Sequence, residues 1–306
     1  MSVETPSRIT PDKDPPSAAR SRATARRSRS SSAGGPLDVF AHAFLLTWAV
    51  LVVVPLLWTV LNAFKSDAEI LTSAWSLPGS FSIDSFVRAW TTANIGRYFL
   101  NTAIVVPLGV FLTLAGGSMV AYVVSRYPFR GSRLVYLLFV AGLTFPVFLA
   151  IVPLFFVARD LHLANSLPGL ALIYAAYYLP FAVFFLTAYF RSLPDSVADA
   201  AFIDGCGHWR TFLLVMLPMA RPGFASVGIF VAIGQWNQFL LPLVLQTDPD
   251  KYVIAQGLAA LAVSQEYASD WSGLFAGLTL SMVPVLVVYV VFQRQVESGM
   301  VAGAVK

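Results

Sequence analysis

The chain has 306 residues, of which 57% are hydrophobic and only 12% charged, with a mean hydropathy of +0.71. A soluble domain carries about twice that share of charge, so the composition excludes a water-soluble enzyme or binding module and indicates an integral membrane protein. The net charge of +4 comes mostly from the N-terminal stretch, with no zinc-ligand spacing or base-stacking motif beside it, so it reads as a topology signal and not as a nucleic-acid site.

Residues 1–37 are rich in Ser, Pro and Arg ("PPSAARSRATARRSRSSSAGGP") and are expected to form a disordered basic tail. The apolar run that follows is longer than a signal-peptide core and lacks an A-x-A exit. Residues 38–306 are expected to form one all-α membrane domain. Six uncharged runs follow in order: 39–64, 99–125, 134–158, 168–190, 223–246 and 272–292. At ~1.5 Å per residue each can cross a ~30 Å hydrocarbon core. Arg126, Arg130, Arg133, Arg191, Arg210, Arg221, Arg294 and the basic tail fall on one side, against Lys65, Arg88, Arg97, Arg159 and Lys251 on the other. The positive-inside rule then predicts cytoplasmic termini and a cytoplasmic loop at 191–222. Prolines at 55, 107, 146, 153, 180, 242 and 284 lie in or near the spans, which favours a packed bundle able to satisfy freed carbonyls.

None of the six runs holds Asp, Glu, Lys or Arg. Buried charge is costly in lipid and marks proton relays, so its absence argues against a proton-coupled carrier. No Walker A motif and no H-E-x-x-H occurs, and His42, His162 and His208 have no partner nearby in sequence, so no catalytic or metal site is read. The fifth run carries Gln235, Trp236, Asn237, Gln238 and Phe239, and the fourth carries Tyr174, Tyr177 and Tyr178. Amides beside aromatic rings suit a neutral polyhydroxylated solute; interhelical hydrogen bonding is the alternative. Helical spacing puts Gln235, Gln238 and Phe239 on one face. Gln235, Trp236, Gln238 and Tyr177 are the candidates for a solute path.

The loop at 191–222 breaks the apolar pattern. Ser192 and Pro194 suit a helix start, "DSVADAAFI" a short amphipathic helix with Asp199 on its acidic face, and Ala200 and Ala201 are small enough for close approach by another protein. Gly205 can take positive φ and Asp204 can cap the next helix, "GHWRTFLLVML", which is expected to end at Leu217-Pro218. With Cys206 at the bend, this is a helix–turn–helix docking element.

"LPDSVADAAFIDGCGHWRTFLLVMLPMARP" resembles the loop of ABC-importer permeases, E-A-A followed by D-G and closing at L-P. "PLLWTVLNAFKSDAEI", "AYVVSRYPFRGSR", "WNQFLLPLVL" and "QRQVESGMVAGAVK" extend the resemblance to the second permease subunit of maltose-type carbohydrate importers, from about residue 40 to 306. Asp199 stands where that family usually has Glu, Cys206 where it has Ala, and Gln238 where Asp is common. The resemblance implies a six-helix permease in a bacterial or archaeal cell membrane, paired with a second permease, two ATPase subunits and an extracellular or periplasmic sugar-binding protein. It implies no cofactor in this chain, ATP and Mg²⁺ being held by the ATPase, and assigns Asp199, Ala200, Ala201, Asp204, Gly205 and Cys206 to the ATPase-coupling loop. The competing readings are a permease for another small polar solute such as a glycerol phosphate, and a stand-alone secondary carrier.

Overall fold

A computed structural model describes residues 36–304 except Pro128 and Ser269. Of the basic tail expected to be disordered over residues 1–37, residues 1–35 lie outside the described residues, and Pro36 and Leu37 open a helix. The chain divides into two compact units, Met1–Leu51 and Val52–Lys306. Of the first, the structure describes the opening turns of α1 (Pro36–Asn62), whose side chains from Asp38 to Leu51 are exposed and almost wholly apolar.

Every regular element among the described residues is helical. After α1 come α2 (Asp67–Thr72), α3 (Asp84–Thr91), α4 (Ile95–Arg126), α5 (Ser132–Thr144), α6 (Val147–Asp160) and α7 (Leu167–Ser192). Then follow α8 (Asp195–Ile203), α9 (His208–Arg210), a π-helical segment (Thr211–Met216), α10 (Leu217–Met219), α11 (Arg221–Trp236), α12 (Leu240–Leu245), α13 (Ile254–Ala268) and α14 (Trp271–Ala304).

Among the described residues four helices are long and apolar enough to cross a membrane: α1, α4, α7 and α14. The other two expected spans are bent. The run 134–158 is two helices, α5 and α6, meeting at 105°. Pro146 lacks an N–H and forces Phe145 into extended backbone (φ −77°, ψ 119°), so the helix cannot pass through. The run 223–246 stops at Trp236 and resumes at Leu240. In an unbroken helix Gln238 O would accept from residue 242, which is Pro242 and has no N–H. The freed carbonyl instead accepts from Tyr174 OH at 3.5 Å. A second bend of 75° separates His208–Met219 from α11.

α4 and α7 form the centre of the Val52–Lys306 unit. They approach closely because Gly117 has no side chain; a Cβ there would sit 2.8 Å from that of Ala182. One buried cluster joins Ala121 and Tyr122 of α4, Leu186 and Phe190 of α7, and Val227 and Val231 of α11 to Ala198, Phe212 and Met216 of the 195–219 segment. A second, at the other end of α7, joins Val105, Leu170 and Tyr174 to Leu241 and Leu245. A third packs α3 and the start of α4 against α13 and α14 through Ala89, Ile95, Ile254 and Ala276. Gly277 of α14 contributes to this contact: a Cβ would touch Leu258 and approach Ile95.

Candidate functional site

The 195–219 segment is a hairpin with an inner face and an outer face. On α8, Ala198 and Ala201 are three residues apart and buried, while Asp199, Ala200 and Ile203 are exposed. Ala201 therefore serves the chain's own core, and Ala200 alone of the two alanines is available to a partner. The bend takes the expected form: Gly205 has φ +81°, and Cys206 N–H donates to Ala201 O at 2.9 Å. Other local expectations are corrected. Ser192 is the last residue of α7, its hydroxyl donating to Tyr189 O, and Pro194 holds the N-cap position of α8 without a side-chain bond. Asp204 closes α8, and Gly207, not Asp204, precedes α9. The second arm runs past Pro218 to Met219, through π-helical turns that carry Phe212 and Met216 into the core. Such turns recur at functional sites.

The outer face is apolar at its tip. Ile203 is 86% exposed and Trp209 65% exposed, flanking Gly205 and Cys206. The hairpin thus has a buried inner face and two large exposed hydrophobic side chains on its outer face. Sequence reasoning missed both residues; for Ile203 the signal was its place opposite Ala198 and Ala201 in the helical repeat of α8.

The hairpin is tied to the bundle at the end of α4. Arg126 Nη2 donates to Phe190 O and Leu193 O, each at 2.7 Å, and Nη1 pairs with the Asp195 carboxylate. Tyr127 OH bonds Tyr122 OH at 3.2 Å and His208 Nδ1 at 2.9 Å. His208 also packs edge-on against Tyr127 and Phe202. The histidine without a sequence neighbour thus has a partner 81 residues away. A cavity of about 260 Å³ opens beside Arg126, Tyr127, Asp195 and Asp199.

The path candidates separate into two kinds. Gln235 is 1% exposed; its amide packs against Gly109 and its Nε2 lies 3.5 Å from Thr113 Oγ1, between α11 and α4. Trp236 packs edge-on against Phe99 and donates to Ser281 O at 3.3 Å. Both are committed to contacts within the chain. Tyr177 is exposed, and Gln238 is half-buried in the break between α11 and α12, beside exposed Asn237 and Phe239. Because the helix ends at Trp236, Gln235 and Gln238 do not share a helical face.

At the opposite end of the unit, Arg88 of α3 grips Asp270 ahead of α14, with Nη2–Oδ1 at 3.0 Å, and also donates to Ser272 Oγ at 2.8 Å. Ser272 N–H donates to Asp67 Oδ1, bringing in α2. Burial alone would raise the Asp270 carboxyl, but the Arg88 hydrogen bond, the Gly273 N–H and the Arg88 charge outweigh it and hold it below its ordinary value. Among the described residues no group of His, Cys, Asp and Glu could hold a metal ion.

A bundle of long apolar helices with two broken spans and one packed hairpin is the architecture of an integral membrane protein. The family model for binding-protein-dependent transport system inner membrane components matches residues 113–302, and the chain belongs to that family. The diacetylchitobiose uptake system permease protein NgcG of Streptomyces coelicolor is 54% identical over 86% of this chain and 87% of its own. The probable ABC transporter permease protein YurM of Bacillus subtilis is 34% identical over 86% and 87%. The arabinooligosaccharides transport system permease protein AraQ of Halalkalibacterium halodurans is 33% identical over 84% and 92%. The fold is shared with a chain in the crystal structure of a bacterial ABC transporter involved in the import of the acidic polysaccharide alginate, with a TM-score of 0.75, 23% identity, and 84% and 95% of the two chains covered.

Proposed function

We propose that this permease carries a di- or oligosaccharide into the cell, delivered by an external sugar-binding protein and driven by two ATPase subunits through the 195–219 hairpin. The observation that carries this reading is the hairpin's two-sidedness. Its inner face belongs to the core shared by α4, α7 and α11, while Ile203, Trp209 and Ala200 are presented outward. A partner that grips the outer face moves the helices attached to the inner one, and coupling requires only that the partner bind two states of the hairpin unequally. ATP and Mg²⁺ belong to the ATPase.

In this reading α5 with α6 makes one crossing and α11 with α12 another, giving six spans with both termini and the hairpin in the cytoplasm. This agrees with the basic residues at the hairpin end and with the acidic and aromatic loops at the other. A second permease completes the path. Gln238 and Tyr177, beside the break, face that path, since unwound backbone in lipid is tolerated where it lines a cavity. None of the six uncharged runs holds a Lys or Arg that could meet an anion, which suits a neutral sugar better than a glycerol phosphate. The relative named for diacetylchitobiose makes an N-acetylated disaccharide the first solute to test.

The experiment is uptake of labelled diacetylchitobiose by cells with and without this chain, and by right-side-out vesicles loaded with ATP. Uptake should need the chain and internal ATP, and should survive collapse of the ion gradients. Uptake that follows an ion gradient without ATP would establish a secondary carrier instead. ATP-driven uptake of a different sugar class would leave the transporter reading intact and correct only its solute.

A further inference from the structure

We infer that Arg126 and Tyr127 are positioning residues that fix both arms of the hairpin to the tip of α4, so that a force on the hairpin tip reaches α4 and α7 without being lost in a loose joint. The inference rests on the reading of the hairpin as the ATPase-docking element and assigns the transmission to two consecutive side chains.

Three observations carry it. First, the Arg126 side chain is only 7% exposed although that of one of its partners, Asp195, is 89% exposed. A charge held that deep at a membrane surface costs desolvation unless its acceptors are fixed. Those acceptors are Phe190 O and Leu193 O at the C-terminal end of α7, where carbonyls lack helical partners and the helix dipole is negative, and Asp195 in the first turn of α8, where the dipole is positive. One planar fork thus spans α4, the end of α7 and the start of α8. Lysine, a point charge on a flexible stem, cannot reproduce that geometry.

Second, the adjacent Tyr127 holds the other arm, its hydroxyl meeting His208 Nδ1 at 2.9 Å and Tyr122 OH at 3.2 Å. The two arms therefore hang on neighbouring residues of one helix terminus. Third, the corner between α7 and α8 is short and stiff. Only Leu193 and Pro194 separate the helices; proline fixes its own φ (−62°) and confines Leu193 to extended backbone (ψ 144°). With the corner rigid and the inner face packed, the contacts at Arg126 and Tyr127 are what determine whether the hairpin can pivot about that corner.

The test uses the whole transporter, with both permeases, the ATPases and the binding protein, in lipid nanodiscs for hydrolysis and in proteoliposomes for uptake of diacetylchitobiose. A nitroxide on Cys206, the chain's only cysteine, reports hairpin motion. Arg126→Lys should keep unstimulated ATP hydrolysis within about twofold, but lower sugar moved per ATP by roughly tenfold, the scale of one lost charged hydrogen bond. Tyr127→Phe, which removes one hydroxyl, should lower the ratio by about threefold. Both should raise nitroxide mobility. A merely structural role would lower hydrolysis and uptake together at a constant ratio, and that result overturns the inference, as does an unchanged ratio with unchanged mobility. If Arg126→Lys fails to assemble, Tyr127→Phe decides alone. Wild-type uptake without ATP would sink the transporter reading itself, whereas ATP-driven wild-type uptake with indifferent variants sinks only the clamp.

Discussion

Gly205 is the residue on which the bend of the hairpin depends. Its φ of +81° is open to glycine and costs a β-branched residue about 1–2 kcal/mol, and a Cβ at this position would meet nothing within 4 Å. The penalty for substitution is therefore conformational and not a clash. Gly205→Val should cut solute uptake about tenfold while leaving membrane insertion intact, and Gly205→Asn, which tolerates positive φ, should keep most of it. Normal uptake by the valine variant would mean that the shape of the bend does not matter. Gly109 is the opposite case. A Cβ there would lie 2.4 Å from Gln235 Oε1, inside packed protein. Gly109→Ala should destabilise the chain by about 1–3 kcal/mol in thermal unfolding, and adding Gln235→Ala should recover part of that loss. Additive losses would show that the two do not touch. The composition of this region was legible from sequence, but the facing was not. Gln235 and Gln238 share a face only in an unbroken helix, and Pro242 breaks it. Arg126 was legible only as a topological charge, because its acceptors are carbonyls and a carboxylate that come from 64 to 69 residues further along the chain.

Among the elements, α3 shows how the short helices are held. It is amphipathic and buries Ser85 and Ala89, and its polar grip on α14 is the Arg88–Asp270–Ser272 cluster, reinforced from α2 by Asp67. The Asp270 carboxyl is held below its ordinary value. A depressed carboxylate contributes stability that is fully present above the unfolded value and disappears as pH falls through the lower folded one. Arg88 is shifted upward, first by its hydrogen bond to Asp270, and stays charged throughout. The contact should therefore be indifferent to pH from neutrality down to the ordinary carboxylate range and should loosen only below it. Asp270→Asn should loosen it already at neutral pH. Amide exchange over residues 84–91 measures this, with faster exchange expected in the asparagine variant at pH 7 and in the wild type only in acid. Equal protection in both at neutral pH would remove the clamp. From sequence, Arg88 and Asp270 were two loop charges; nothing in their spacing announced a pair 182 residues apart.

For the molecule as a whole, apolar length was the legible quantity. It located α1, α4, α7 and α14, because a continuous helix and a continuous apolar run are the same object in lipid. It drew the remaining runs as single helices, because hydropathy does not register a missing N–H, and Pro146 and Pro242 divide runs that carry no charge. The orientation proposed for the bundle rests on charge alone and is open to direct measurement through Cys206. That thiol lies half-buried at the hairpin bend between Gly205 and Gly207, and as the only cysteine it makes any maleimide adduct unambiguous. A membrane-impermeant maleimide should label it in inverted vesicles and spare it in intact cells, since Arg126, Arg191, Arg210 and Arg221 cluster at this end. Co-assembly with the ATPase should slow the reaction in proportion to the fraction of chain in complex, because Ile203 and Trp209, which flank the bend, would be covered. Labelling from outside would reverse the topology and with it the docking side of the hairpin. Labelling from inside at a rate that the ATPase does not change would leave the orientation standing and place the ATPase contact away from the bend.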